Sequence, residues 1–163
     1  QGTTDLTDTK DCDLVIEAVF EDMAVKKDLF VKLDEICKPE TILATNTSSF
    51  SVEELAQATG RPDRFVGLHF FYHPAKNRLL EIIPGSMTSP ETLATCRQFA
   101  QLAGKTDILV KDTPGFAVNR FFGSRDKTVS GADDFINPGY TFGTESECCN
   151  SLGTTDGIHL IDF

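Results

Sequence analysis

Leu14-Val15-Ile16-Glu17-Ala18-Val19 is the stretch on which the fold turns. It is an almost unbroken apolar run, the pattern of a strand covered on both faces in a parallel sheet. Working outward, a helical pattern follows from about 23 to 37, with Val25, Leu29, Leu33 and Ile36 on its apolar face. Pro39 stops it, and Thr41-Ile42-Leu43-Ala44-Thr45 reads as the next strand. Ser51 opens a short helix with Glu54 three residues on as a capping box, and Gly60 closes it. Phe65 to His69 and Leu79 to Ile83 are further strands. Ser89-Pro90 starts a helix that buries Leu93, Cys96, Ala100 and Ala103 and ends at Gly104, and Ile108-Leu109-Val110 is the last strand. Strand–helix alternation implies parallel pairing with helices packed on the sheet. The link between 65–69 and 79–83 has no helical pattern, so the chain can return there antiparallel.

The 163 residues are 40% hydrophobic and 25% charged, enough to bury a core. A net charge of −10 disfavours nucleic acid as a partner, whereas an anionic coenzyme can still bind at loops and helix ends. No apolar run reaches membrane-spanning length and no signal peptide opens the chain, so the expected setting is cytoplasmic, with no membrane partner. The five cysteines, at 12, 37, 96, 148 and 149, show neither CxxC spacing nor a cluster with His, so no metal site is expected. Buried free thiols fit three of them, and the adjacent Cys148 and Cys149 suggest no role. Beyond about 122 the character changes. Residues 123–163 hold six of the twelve glycines and no sustained period, and read as an irregular tail.

Several residues stand where chemistry is done. In an open α/β sheet, ligands bind beyond the carboxyl ends of the strands, and His69 ends an apolar strand. Glu81 lies twelve residues later inside the apolar run Leu79-Leu80-Glu81-Ile82-Ile83. If the two strands are antiparallel neighbours with their turn centred near Ala75, the two side chains fall opposite each other. A buried carboxylate beside an imidazole fixes its tautomer and strengthens it as a general base. The same spacing also fits a satisfied core histidine beside an edge glutamate. Thr45-Asn46-Thr47-Ser48-Ser49 supplies hydroxyl and amide groups at the same crevice, or is simply the loop that feeds the next helix. Asp112-Thr113-Pro114-Gly115-Phe116-Ala117-Val118-Asn119-Arg120 reads as a turn with Asn119 beyond it, able to donate and accept. Glu21 suits a ribose or a solvated helix start, and Lys26 and Lys27 read as ordinary solvent-facing helix residues.

Taken in order, Asp13 to Glu21, Ala44 to Ser49, His69-Phe70-Phe71, Leu79-Leu80-Glu81 and Asp112 to Arg120 resemble the 3-hydroxyacyl-CoA dehydrogenase family of fatty-acid β-oxidation, over about residues 3–122. The resemblance implies an oxidoreductase that uses NAD and turns a 3-hydroxyacyl-CoA into a 3-ketoacyl-CoA. His69 would be the general base and Glu81 its support, with Ser48 and Asn119 holding the substrate. Ala18, Val19, Glu21, Lys26, Asn46 and Ser48 match family positions for the cofactor. The expected fold class is α/β: an incomplete Rossmann-like doubly wound sheet, mostly parallel with an antiparallel strand, plus the irregular tail. Residues 1–112 would be the later part of the NAD-binding domain, 113–122 the start of the family's helical domain, and 123–163 unrelated to it. Full-length family members would be homodimers.

Three departures qualify the resemblance. No GxGxxG occurs in this sequence, so the isolated chain is expected to be inactive. Where the family usually continues His-Phe-Phe with Asn-Pro, this chain has Tyr72-His73-Pro74, which puts its substrate choice in question. Residues 123–163 do not resemble the helical domain; a reading-frame shift or foreign terminus would account for them. The competing class is a truncated or structural relative without catalysis. A hydroxyacid dehydrogenase without coenzyme A is a further reading; many of these use a lysine, which His69 with Glu81 argues against.

Overall fold

The computed structural model of the protein describes residues 2–123 and 158–161. Six strands form one sheet: β1 (Leu14–Glu17), β2 (Ile42–Thr45), β3 (Phe65–Phe70), β4 (Leu79–Pro84), β5 (Thr106–Leu109) and β6 (Ile158–Ile161). Their order is β5-β4-β3-β2-β1-β6, and every neighbouring pair is parallel except β3 with β4. The helices are α1 (Met23–Ile36), α2 (Val52–Ala56), α3 (Pro90–Leu102) and α4 (Val118–Gly123).

Side chains alternate across a strand, and here both faces are covered. Val15, Leu43, Phe65 and Ile83 meet Leu29, Phe30 and Leu33 of α1 and Val52 and Leu55 of α2 on one face. Leu14, Ile16, Ala44, Val66, Leu68, Leu80 and Ile82 meet Cys96, Phe99 and Ala100 of α3 on the other. The sheet is therefore doubly wound, and each fully buried Leu, Ile or Phe stabilises it by about 1.5–3 kcal/mol. Gly67 allows α2 to lie close: a Cβ there would stand 2.8 Å from Val52 Cγ2 and 2.9 Å from Ile83 Cβ.

Local signals set most boundaries. Asp22 caps α1 by accepting from the Ala24 and Val25 amides, and Ser89 caps α3 by accepting from Thr92, with Pro90 in the first turn. Ser51 accepts from the Glu54 amide, but only half of the expected box forms, because the Glu54 carboxylate pairs with Lys27 instead. The apolar stripe of α1 is rotated from its expected course. Lys26, Leu29, Phe30 and Leu33 are buried, and Val25 is exposed. Lys26, expected to face solvent, finds a buried partner in Glu17. Two boundaries also differ: α2 ends at Ala56, before Gly60, and β5 begins two residues ahead of Ile108.

The tail expected to be irregular contributes one strand. β6 lies parallel to β1, with Leu14 opposite Ile158 and Glu17 opposite Ile161. It covers a strand edge whose backbone groups need partners, and four residues are too few to stand out as a pattern. The rest of that tail from residue 124 on, with Cys148 and Cys149, lies outside the described residues. Cys12, Cys37 and Cys96 are buried and unpaired, and burial pushes the Cys96 thiol up to about 12. Among the described residues no helix is long and apolar enough to cross a membrane, and no cluster suits a metal.

Candidate active site

The antiparallel return puts His69 directly opposite Glu81, as the twelve-residue step with its centre at Ala75 requires. The His69 Nδ1 and Glu81 Oε2 atoms are 2.7 Å apart, and Glu81 is fully buried. An ionised carboxylate only accepts, so Nδ1 donates to Glu81 and Nε2 is the ring nitrogen that Glu81 leaves unengaged. Rings close the surroundings. The Phe71 centroid lies 4.6 Å from that of His69, and the Phe116 centroid 5.5 Å.

Glu81 is held in its charged form from behind. Its Oε1 accepts the amides of Ala117 at 3.0 Å and Val118 at 2.9 Å. These donors are aimed by the preceding turn, where Gly115 (φ 76°) and Phe116 (φ 48°) are both left-handed. Phe116 adopts that conformation at a cost of about 1–3 kcal/mol, and successive amides after such a turn form a cradle for an anion. Burial pushes the Glu81 carboxyl up, but the His69 hydrogen bond and the Val118 and Ala117 amides together outweigh it, and the net shift is downward. A carboxyl lowered in the folded state stabilises the fold above its unfolded value, and this contribution fades as pH falls through the folded value. Glu81→Gln should therefore destabilise the protein near neutrality, and its deficit should narrow between pH 6 and pH 3, as read by urea unfolding at each pH. A deficit that stays constant across that range would remove Glu81 as the source.

Four of the other expected site residues, Asn119, Ser48, Glu21 and Lys26, form a continuous chain of contacts. The Asn119 amide nitrogen donates to the Ser48 carbonyl at 3.3 Å. The Ser48 amide donates to Glu21 Oε1 at 3.1 Å, as do the hydroxyls of Thr47 at 2.5 Å and Ser49 at 3.3 Å. Glu21 Oε2 lies 3.2 Å from Lys26 Nζ. Asn46 accepts the Phe70 amide at 2.9 Å and so ties the end of β2 to the end of β3. Ala18 is half-buried; Val19 is buried, with its amide donating to Glu17 and its carbonyl accepting from Lys26.

Sequence reasoning missed the cluster beneath. Glu17 Oε1 accepts Lys26 Nζ at 2.6 Å and the Val19 amide at 2.7 Å, while Oε2 accepts the Thr45 hydroxyl at 2.8 Å. The signal was present, since Glu17, like Glu81, is a carboxylate inside an apolar strand. Asp112 was also missed. Its Oδ2 accepts the Ser51 hydroxyl and the Glu53 amide, which pins the turn before α4 to the start of α2.

Residues 1–113 match the family described as "3-hydroxyacyl-CoA dehydrogenase, NAD binding domain". The chain is 49% identical over 119 residues to 3-hydroxybutyryl-CoA dehydrogenase of Clostridioides difficile, covering 73% of this chain and 42% of that protein. It is 48% identical over 119 residues to the fatty acid oxidation complex subunit alpha of Vibrio vulnificus, covering 17% of that protein. The crystal structure of (S)-3-hydroxybutyryl-CoA dehydrogenase from Ralstonia eutropha superposes with a TM-score of 0.73 at 41% identity, over 75% of this chain and 43% of that one. The chain thus spans less than half the length of these relatives.

Proposed function

The chain belongs to the 3-hydroxyacyl-CoA dehydrogenase family, and from that premise we propose that it carries the proton-accepting side of the NAD-dependent oxidation of a 3-hydroxyacyl-CoA to a 3-ketoacyl-CoA. The observation that supports this most is the buried His69–Glu81 pair at the carboxyl end of β3. In this reading His69 Nε2 takes the hydroxyl proton, and Glu81 keeps Nδ1 protonated and stabilises the imidazolium that forms. Ser48 and Asn119, already joined, hold the substrate oxygen near it. NAD supplies the hydride acceptor when bound. Glu21 is the residue that suits its sugar hydroxyls, since its carboxylate is part-exposed in the loop after β1. Lys26 acts through Glu21, because its own ammonium is buried.

The domain boundary at about 112, with 113–122 beginning a second domain, is part of the same proposal. So are an acyl-CoA substrate, a cytoplasmic setting, the absence of nucleic-acid and membrane partners, and a homodimeric full-length enzyme. The second reading, an inactive chain, concerns the isolated 163 residues and rests on the lack of any GxGxxG in them. The pyrophosphate then has no glycine-rich cradle at a helix start. Calorimetric titration of the isolated chain with NAD should give no binding heat. A saturable isotherm would contradict that reading and show that the crevice binds the cofactor without the cradle.

A further inference from the structure

Lys105 stands at the turn between α3 and β5, just after Gly104 (φ 68°). Its ammonium donates to the carbonyl of Asn77 at 2.9 Å and to that of Pro74. Both acceptors lie in the connection between β3 and β4, 28 and 31 residues earlier in the chain. The same ammonium sits 5.8 Å from the centroid of the Phe70 ring, the residue next to His69. Burial pulls the Lys105 ammonium below the usual lysine range, so its two carbonyl partners stand in for lost water.

The connection it holds is a built turn. The amides of Lys76 and Asn77 both donate to the His73 carbonyl at 2.8 Å, and the Ala75 amide donates to His73 Nδ1 at 3.3 Å. This turn begins at Phe71, whose ring packs on the His69 imidazole. It is also where the chain carries Tyr72-His73. On the opposite side Asn46 grips the Phe70 amide.

We propose that Lys105 is a positioning residue that clamps the 71–78 connection from below and thereby sets the Phe71 ring against the His69 imidazole. The clamp works at a distance from the reacting atoms. Lys105 fixes two carbonyls of the turn, the turn fixes Phe71, and Phe71 limits the tilt of the ring whose other end is held by Glu81. A flexible point charge with three donors can satisfy two diverging carbonyls at once. The importance of the imidazole's orientation rests on the function proposed above; the clamp itself does not.

The test uses the chain as it is, by NMR, with Lys105→Met and Lys105→Arg. In the Met variant, amide exchange at Lys76 and Asn77 should quicken by about tenfold or more, the loss of one or two net hydrogen bonds. The His69 ring proton signals should shift, and exchange at Leu43 to Thr45 in β2 should keep its wild-type rate. Lys105→Arg should restore slow exchange and the His69 signals. Unchanged His69 signals in the Met variant would overturn the proposal, and so would faster exchange spread evenly over the whole sheet, the mark of a general loss of stability. Neither result depends on NAD binding, so failure of the clamp and failure of the dehydrogenase reading remain distinct.

Discussion

In an enzyme completed around this chain by a phosphate-binding segment and a substrate-covering domain, His69→Gln lowers turnover by about 10² or more, while NAD affinity stays near wild type. Glutamine keeps a polar atom within reach of Glu81, so the fold at the β3–β4 pair is conserved. It has no lone pair that accepts a proton near neutrality, so the alcohol must ionise without help. Steady-state kinetics with a 3-hydroxyacyl-CoA, combined with NAD titration, separates the two effects. Equal turnover in the two proteins would remove His69 from its role. A parallel loss of NAD affinity would make it a cofactor-site residue instead.

The second large effect concerns stability. Lys26 and Glu17 are 1% and 0% exposed, respectively. Lys26→Met leaves the Glu17 carboxylate buried with only the Val19 amide and the Thr45 hydroxyl as partners. Breaking one side of a buried pair costs about 3–5 kcal/mol, a large part of the 5–15 kcal/mol typical of a domain. Urea unfolding of the isolated chain measures it. Replacing both partners, with Glu17→Met added, should recover much of the loss, because no charge is then stranded. A single-variant cost below about 1 kcal/mol would mean that the ammonium is hydrated and the pair is not a core element.

Strands β1 to β4 were legible because burial leaves unbroken apolar runs such as Leu14 to Ile16 and Ile42 to Ala44. The His69–Glu81 pairing was legible for a geometric reason: a fixed step across an antiparallel turn admits one register. Lys26 was not, since a lysine on a helix stripe looks solvated until a carboxylate from another strand is known to lie beneath it. Nor were Lys105 and Asp112, whose partners are 28 to 61 residues away in sequence. Such single side-chain ties leave no periodic trace. The strand at 158–161 was missed because its neighbours in sequence give no context and its partner, β1, is at the other end of the chain.

The amides that cradle Glu81 belong to Ala117 and Val118, the residues through which the backbone leaves the sheet for α4. The exit hinge and the brace of the imidazole are thus one joint. Any displacement of the backbone at Val118 would tug the Glu81 carboxylate and, through it, the His69 ring, so the entry to α4 and the tilt of the imidazole share a single mechanical linkage.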